Sequence, residues 1–418
     1  MKHHSHTIFL GMLLLISSLK QSTAQLPLHW EDIKTGQAQA SVYIPPPTIF
    51  SEGIRTADFA ITYNGFTPDA QAAFQYAADI WSSLLNSTVS IKVNTYFAPL
   101  LPGLLGITLP NGRKDFPGAT QANTWFATSL ANSIAGTELN TGEFDFDLYL
   151  NSTMSWYYGV DGNCPAGKYD LVSIVLHEMC HGLGFVGLGK VSGTTGSFGL
   201  LQAADFAPIA TSFPWPDLDT LPSIFDSKLQ DSGGNFLSTF PNPSTELKSL
   251  FTGNQVYFDG ENASLMNGGV KPRMYAPSTF SLGSSLLHLN ETTYPAGNIN
   301  ELMTPFAGAS NAVHDPGPIV MGILKDIGWS VNYNVGIENV SAADESIQVY
   351  PNPATDHLFI TACKDYSGNL QVLDAVGHCV LKADHIPSSI NIAAFNNGLY
   401  ILQWRSDGDL KTIQFIKN

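Results

Sequence analysis

The residues with the clearest chemical capacity are His177, Glu178 and His181, within the run His177-Glu178-Met179-Cys180-His181-Gly182-Leu183-Gly184-Phe185. On a helix, histidines four positions apart lie one turn apart on one face, the spacing at which two imidazoles grip a single metal ion. Zinc held by two neutral imidazoles keeps room for a third ligand and a water. The carboxylate of Glu178 can take a proton from that water as it attacks a carbonyl. The chemistry predicted is metal-assisted hydrolysis, with peptide bonds as the first substrate class. A five-residue pattern also arises in chains that hold no metal, so the elements around it carry the weight.

Leu171, Val172, Ile174, Val175 and Leu176 predict a buried helix that holds both histidines, with Asp170 as N-cap and Gly182 and Gly184 ending it. Upstream, Thr67 and Pro68 open an amphipathic helix with Phe74, Ala77, Ile80, Trp81 and Leu84 on one face. Val89, Ile91, Val93 and Thr95 alternate as a half-buried strand does, and so do Phe144, Phe146, Leu148 and Leu150. The second of these strands is expected at the sheet edge, where open backbone groups could pair with an extended substrate. Residues 98–120, rich in Gly and Pro, read as loop, and Thr124 to Ile134 as a short helix or strand. From about 187 to 282 runs a glycine-punctuated insertion, expected as a cap over the cleft or a small β-rich module.

The chain has 418 residues, enough for two or three domains, and 44% of them are hydrophobic. Residues 1–24 read as a secretory signal: Lys2 and three histidines, an apolar run from Thr7 to Ile16, and small residues Ser22 and Ala24. The run is too short to span a bilayer, so no transmembrane segment is expected in the mature chain. Removing the signal takes away Lys2 and Lys20 and no acid, which moves the formal charge from −16 to −18. Nucleic acid and anionic membrane surfaces are thereby disfavoured as partners. The four cysteines form two close pairs in sequence, Cys164 with Cys180 and Cys363 with Cys379, and in an oxidising compartment two local disulfides are expected.

The position three after Gly184, where a compact three-histidine motif has its last ligand, is Gly187. Asp205, Glu261, His288, Glu291 and His314 are the downstream candidates. His288 follows Gly283-Ser284-Ser285-Leu286-Leu287, and after it come Asn300-Glu301-Leu302-Met303-Thr304-Pro305 and a terminal helix from Pro318 to Trp329. With these features the chain resembles the leishmanolysin-type metzincins and related secreted bacterial proteins, in which a large insertion separates the H-E-x-x-H-x-x-G helix from the third zinc histidine. The resemblance covers Thr67 to Trp329 in outline. It implies one catalytic zinc on His177, His181 and His288, Glu178 as general base, and Met303 as the methionine beneath the metal; His314 is the second choice of ligand. It departs from some metzincins in having no tyrosine two residues after Met303.

Residues 331–346 read as a linker, and 347–418 as a small all-β sandwich of short alternating strands. Tyr350-Pro351-Asn352-Pro353-Ala354, Gly398-Leu399-Tyr400 and the basic finish at Lys411 and Lys417 resemble the carboxyl-terminal sorting domain of type IX secretion. That resemblance implies the type IX machinery as a partner and a secreted or surface location. A carbohydrate-binding sandwich is the weaker alternative, with only Tyr400 and Trp404 as candidate exposed aromatics. The expectation is an α+β protein: a metzincin-like peptidase domain over 25–330 acting on protein or peptide substrates, followed by a sorting module. The competing reading is an inactive, protease-like adhesion or binding protein. Structural calcium is left open.

Overall fold

The computed structural model of the chain describes residues 33–36, 41–206, 215, 219–333, 348–361, 370–374, 378–406 and 409–418. The expected signal at 1–24 and nearly all of the expected linker lie outside them. The fold is mixed α+β, and the chain divides into two compact units, Met1–Val335 and Gly336–Asn418.

The first unit is built on a four-stranded sheet of β1 (Phe59–Asn64), β2 (Ile91–Ala98), β3 (Gly106–Pro110) and β4 (Phe146–Asn151), in the spatial order β1-β2-β4-β3. β1, β2 and β4 are parallel, and β3 runs antiparallel to β4, pairing Gly106 with Leu150 and Thr108 with Leu148. The strand containing Phe146 is therefore interior. The edge beside it belongs to β3, inside the stretch expected to be loop, and the far edge to β1. All five β3 residues are buried, so it lacks the alternation that marks a half-buried strand. Thr124 to Ile134 contains both a strand, Trp125–Ala127, and a helix that begins at Thr128.

Helix α1 (Pro68–Leu84) starts as its sequence predicts, with the Thr67 hydroxyl accepting from the Ala70 amide at 3.3 Å. It buries Phe74, Ile80, Trp81 and Leu84. Helix α2 (Leu171–Gly182) is buried along its whole length and is capped by Asp170, whose carboxylate accepts from the Ser173 amide at 2.8 Å. Two indoles tie α2 to its neighbours: Trp81 Nε1 donates to the Leu176 carbonyl at 3.1 Å, and Trp329 Nε1 to the Leu183 carbonyl at 2.7 Å. At Gly182 a Cβ would sit 2.6 Å from the Phe146 ring, so only glycine lets α2 lie this close to β4. Helix α3 (Pro318–Ile327) closes the unit.

The described part of the insertion is not a separate module, and its Leu201, Phe206 and Trp215 pack with Ile107 and Leu109 of β3. Phe198, Phe225, Phe251 and Phe258 join the same apolar core as α1, α2 and α3. Asp326 on α3 accepts from the amides of Asn262 and Ala263, at 3.0 and 2.8 Å, at the start of the helix Glu261–Met266.

The expected Cys164–Cys180 disulfide is absent, and both residues are buried free thiols. Cys164 Sγ lies 3.4 Å from the Lys168 carbonyl oxygen, beside the amino end of α2. Cys180 is ten residues beyond Asp170, about 15 Å along a helix axis, whereas a bridge needs Cα atoms within roughly 7 Å. Burial pushes the Cys164 thiol up to about 11 and the Cys180 thiol well above its usual range. Alkylation of the unfolded, unreduced protein is expected to label both cysteines, read by peptide mass spectrometry; a 164–180 cross-linked peptide would contradict this packing. Cys379 is an exposed free thiol, and Cys363 lies outside the described residues.

The second unit pairs a three-stranded sheet (Gln348–Tyr350, His357–Thr361, Ser389–Asn391) with a four-stranded one (Leu370–Asp374, Cys379–Ala383, Gly398–Ser406, Asp409–Lys417). Leu358, Ile360, Val372, Leu402 and Phe415 form its core. Tyr400 and Trp404, the aromatics expected to be exposed, are also buried there, at 6% exposure each, whereas Tyr350 and Phe359 are exposed and stacked with ring centroids 5.7 Å apart.

Candidate metal centre

Three imidazoles converge in the first unit. His177 Nε2 lies 3.1 Å from His181 Nε2 and 3.1 Å from His288 Nε2. The three ring centroids are 4.9–5.0 Å apart, and all three residues are buried. Each ring is oriented from behind by a main-chain carbonyl. The Nδ1 atoms of His177, His181 and His288 donate to the carbonyl oxygens of Leu302 at 2.6 Å, Phe185 at 2.6 Å and Ser284 at 2.9 Å. A carbonyl oxygen can only accept, so each ring carries its proton on Nδ1 and turns an Nε2 lone pair toward the other two. Three lone pairs aimed at one point are mutually repulsive unless a cation lies among them. At Zn–N distances of about 2.0–2.1 Å, nitrogens in a tetrahedral set stand roughly 3.3 Å apart. The donors therefore fit zinc in both chemistry and spacing.

His177 and His181 share a face of α2, and His288 arrives on a separate turn. Leu286 in that turn adopts a left-handed φ of 75°. The Leu286 amide donates to the Tyr275 carbonyl at 2.7 Å and the Leu289 amide to the Met303 carbonyl at 2.7 Å, which fixes His288 from both sides. Met303 is fully buried directly after Leu302, whose carbonyl orients His177. Gly187 cannot be replaced by a ligand: a Cβ there would sit 2.7 Å from Asp226 Oδ1. Asp226, which sequence reading missed, is a buried carboxyl that accepts from the Leu188 amide at 2.8 Å and pins the chain leaving α2. Burial raises it to about 6.

Glu178 lies next to His177 on α2 and is fully buried; its Oε2 accepts from the Thr108 hydroxyl of β3 at 2.7 Å. A Cβ on Gly106 would come within 2.6 Å of Glu178 Oε1 and 2.8 Å of its Cγ, so the absent side chain makes room for the carboxylate. Thr108 and Gly106 thus border the Glu178 carboxylate, which the sequence reading, taking 98–120 as loop, does not anticipate. The available signal was a short apolar run between Pro102-Gly103 and Asn111-Gly112.

The other ligand candidates stand elsewhere. His314 pairs with the helix cap, its Nε2 lying 3.0 Å from Asp170 Oδ1, with both side chains fully buried. Asp205 pairs with Lys190 at 2.7 Å. Among the described residues, His177, His181 and His288 are the one group of His, Cys, Asp or Glu whose ligand atoms converge within 4.8 Å.

Residues 348–418 match the family model of the secretion system C-terminal sorting domain. This places the protein outside the cell, secreted or at its surface, and makes the type IX secretion machinery a partner. No helix among the described residues is long and apolar enough to cross a membrane. No curated protein matches the chain. Among solved structures, it is similar at 18% identity to PorZ, an essential bacterial surface component of the type IX secretion system of Porphyromonas gingivalis. That match has a TM-score of 0.16 and covers 19% of this chain and 12% of PorZ.

Proposed function

For a chain that carries a secretion address at its carboxyl end, we propose that the first unit is a zinc-dependent endopeptidase of the leishmanolysin-type metzincin kind. The observation that carries the reading is the meeting of three carbonyl-oriented Nε2 atoms from distant parts of the chain beside a buried carboxylate.

His177, His181 and His288 would hold the metal. Zinc in such a site supplies Lewis acidity toward a carbonyl and lowers the pKa of a water to about 7. Glu178 accepts the proton of the attacking water and returns it to the leaving amine. The Thr108 hydroxyl holds the carboxylate on the side facing β3. β3 is the last strand of its sheet, and among the described residues no strand pairs with its outer edge, so an extended peptide could add there. The substrate edge belongs to this strand and not to the one containing Phe146.

The test is the metal content of the purified full chain together with cleavage of an unfolded protein. About one zinc per chain and cleavage abolished by a chelator are expected; zinc without cleavage refutes the peptidase. Gly106→Ala pushes on the carboxylate without touching a ligand. It is expected to retain zinc and to hydrolyse about 10²-fold more slowly, as a misplacement near 1 Å produces. A variant as fast as the parent would show that Glu178 does not work from this position.

A further inference from the structure

A cavity of about 560 Å³ lies between the amino-terminal half of α2, the turn carrying Glu301 and Leu302, and the segment Ile33–Gly36. It shares a wall with the metal centre, since Leu302 and Ile174 line it. The first orients His177 through its carbonyl, and the second lies one turn before His177 on α2.

The polar lining is one-sided. Asp170, Glu291, Glu301 and Asn311 all face the cavity. Asp170 Oδ2, Glu291 Oε2 and Asn311 Oδ1 are buried with no hydrogen-bond donor in reach among the described residues. Asp170 and Asn311 are only 2% and 7% exposed. The other Asp170 oxygen is already taken by the Ser173 amide, the Ser173 hydroxyl and His314. Among the described residues no lysine or arginine forms an ion pair with Glu291 or Glu301. Burial pushes the Glu301 carboxyl up to about 7 and raises Glu291 as well. Buried acceptors are ordinarily paired, so this lining is complementary to a group that brings several donors and a positive charge.

A single metal ion shared by Asp170, Glu291 and Glu301 is not that group, because the oxygens of these three carboxylates do not converge within 4.8 Å. A cation with spread donors on an apolar stem fits better: Ile33, Ile174 and Leu302 can pack the stem while the head reaches the carboxylates. We propose that this cavity recognises a primary ammonium or guanidinium group of the substrate. The proposal rests on the peptidase reading for what carries the group, either a lysine or arginine side chain or the α-ammonium end of the peptide.

The test uses the zinc-loaded full chain and quenched fluorescent peptides with lysine or norleucine scanned across the scissile bond, each with a free or an acetylated amino end. The same peptides are titrated by calorimetry into Glu178→Ala protein. A lysine preference of at least tenfold in kcat/KM at one position assigns the side chain. A tenfold loss on acetylation, without a lysine preference, assigns the α-ammonium. In either case Glu291→Gln and Glu301→Gln are expected to shrink the ratio about tenfold, and the neutral peptide serves as internal control within each variant. Hydrolysis that ignores both features, or a preference unchanged in both variants, overturns the cavity's role and leaves the peptidase standing. Charge-selective binding to Glu178→Ala without any hydrolysis by the parent overturns the peptidase and leaves the cavity. Neither binding nor hydrolysis overturns both.

Discussion

Glu178→Ala protein is expected to bind about one zinc per chain and to lose peptide hydrolysis by about 10²–10⁴-fold, the range that positioned proton transfer contributes. The side chain is fully buried and held by Thr108, so it is not a ligand whose removal opens the metal site. The three Nε2 donors and their carbonyl partners are untouched by the substitution. Metal analysis and kcat/KM on one unfolded substrate, measured side by side, decide the matter. Zinc lost together with activity would place Glu178 in the metal shell. Activity retained would remove it from the mechanism.

His288→Ala has the opposite signature: both zinc and activity are expected to disappear. Two histidines one turn apart remain on α2, but the donor from the 288 turn is gone, and none of Asp205, Glu261, Glu291 or His314 comes near enough to replace it. A ligand that binds only the folded state stabilises it by about 4 kcal/mol when its concentration is a thousand times its dissociation constant. The parent should therefore lose thermal stability on chelation, and His288→Ala should melt alike with and without chelator. His314→Ala is the control. It should keep the metal while losing stability, because it leaves Asp170 buried without its imidazole. A His288→Ala protein that retains zinc would return the third ligand to an acidic residue.

Much of the site can be read from the amino acids because its signals are local. Asp170, the apolar run to Leu176 and the two histidines belong to one helix, and the Thr67-Pro68 start of α1 belongs to another. His288 is of a different kind. Nothing in its immediate neighbours announces a ligand; a family resemblance singles it out, and the structure brings its ring together with those of His177 and His181. The misses have a common cause. β3 is buried on both faces and shows no alternation, so Gly106 and Thr108 looked like loop. Closeness in sequence predicts the Cys164–Cys180 pairing, which a rigid helix between the two positions overrides. The glycines of the insertion dominate its sequence pattern, while Phe198, Phe225, Phe251 and Phe258, scattered without period, tie it into the common core.

The separation of the ligands along the chain sets an order of events. His177 and His181 leave the ribosome 111 and 107 residues ahead of His288. The turn that presents His288 is itself fastened to Met303, and the helix is fastened at Leu183 by Trp329. Long-range closures of this kind form late, after loop entropy has been overcome. A growing chain thus holds two of its three nitrogens while the next 107 residues are made, and the third joins only when the whole unit can close. The three-histidine centre is completed late in the making of its own unit, a timing suited to a protein that must leave its cell before it acts.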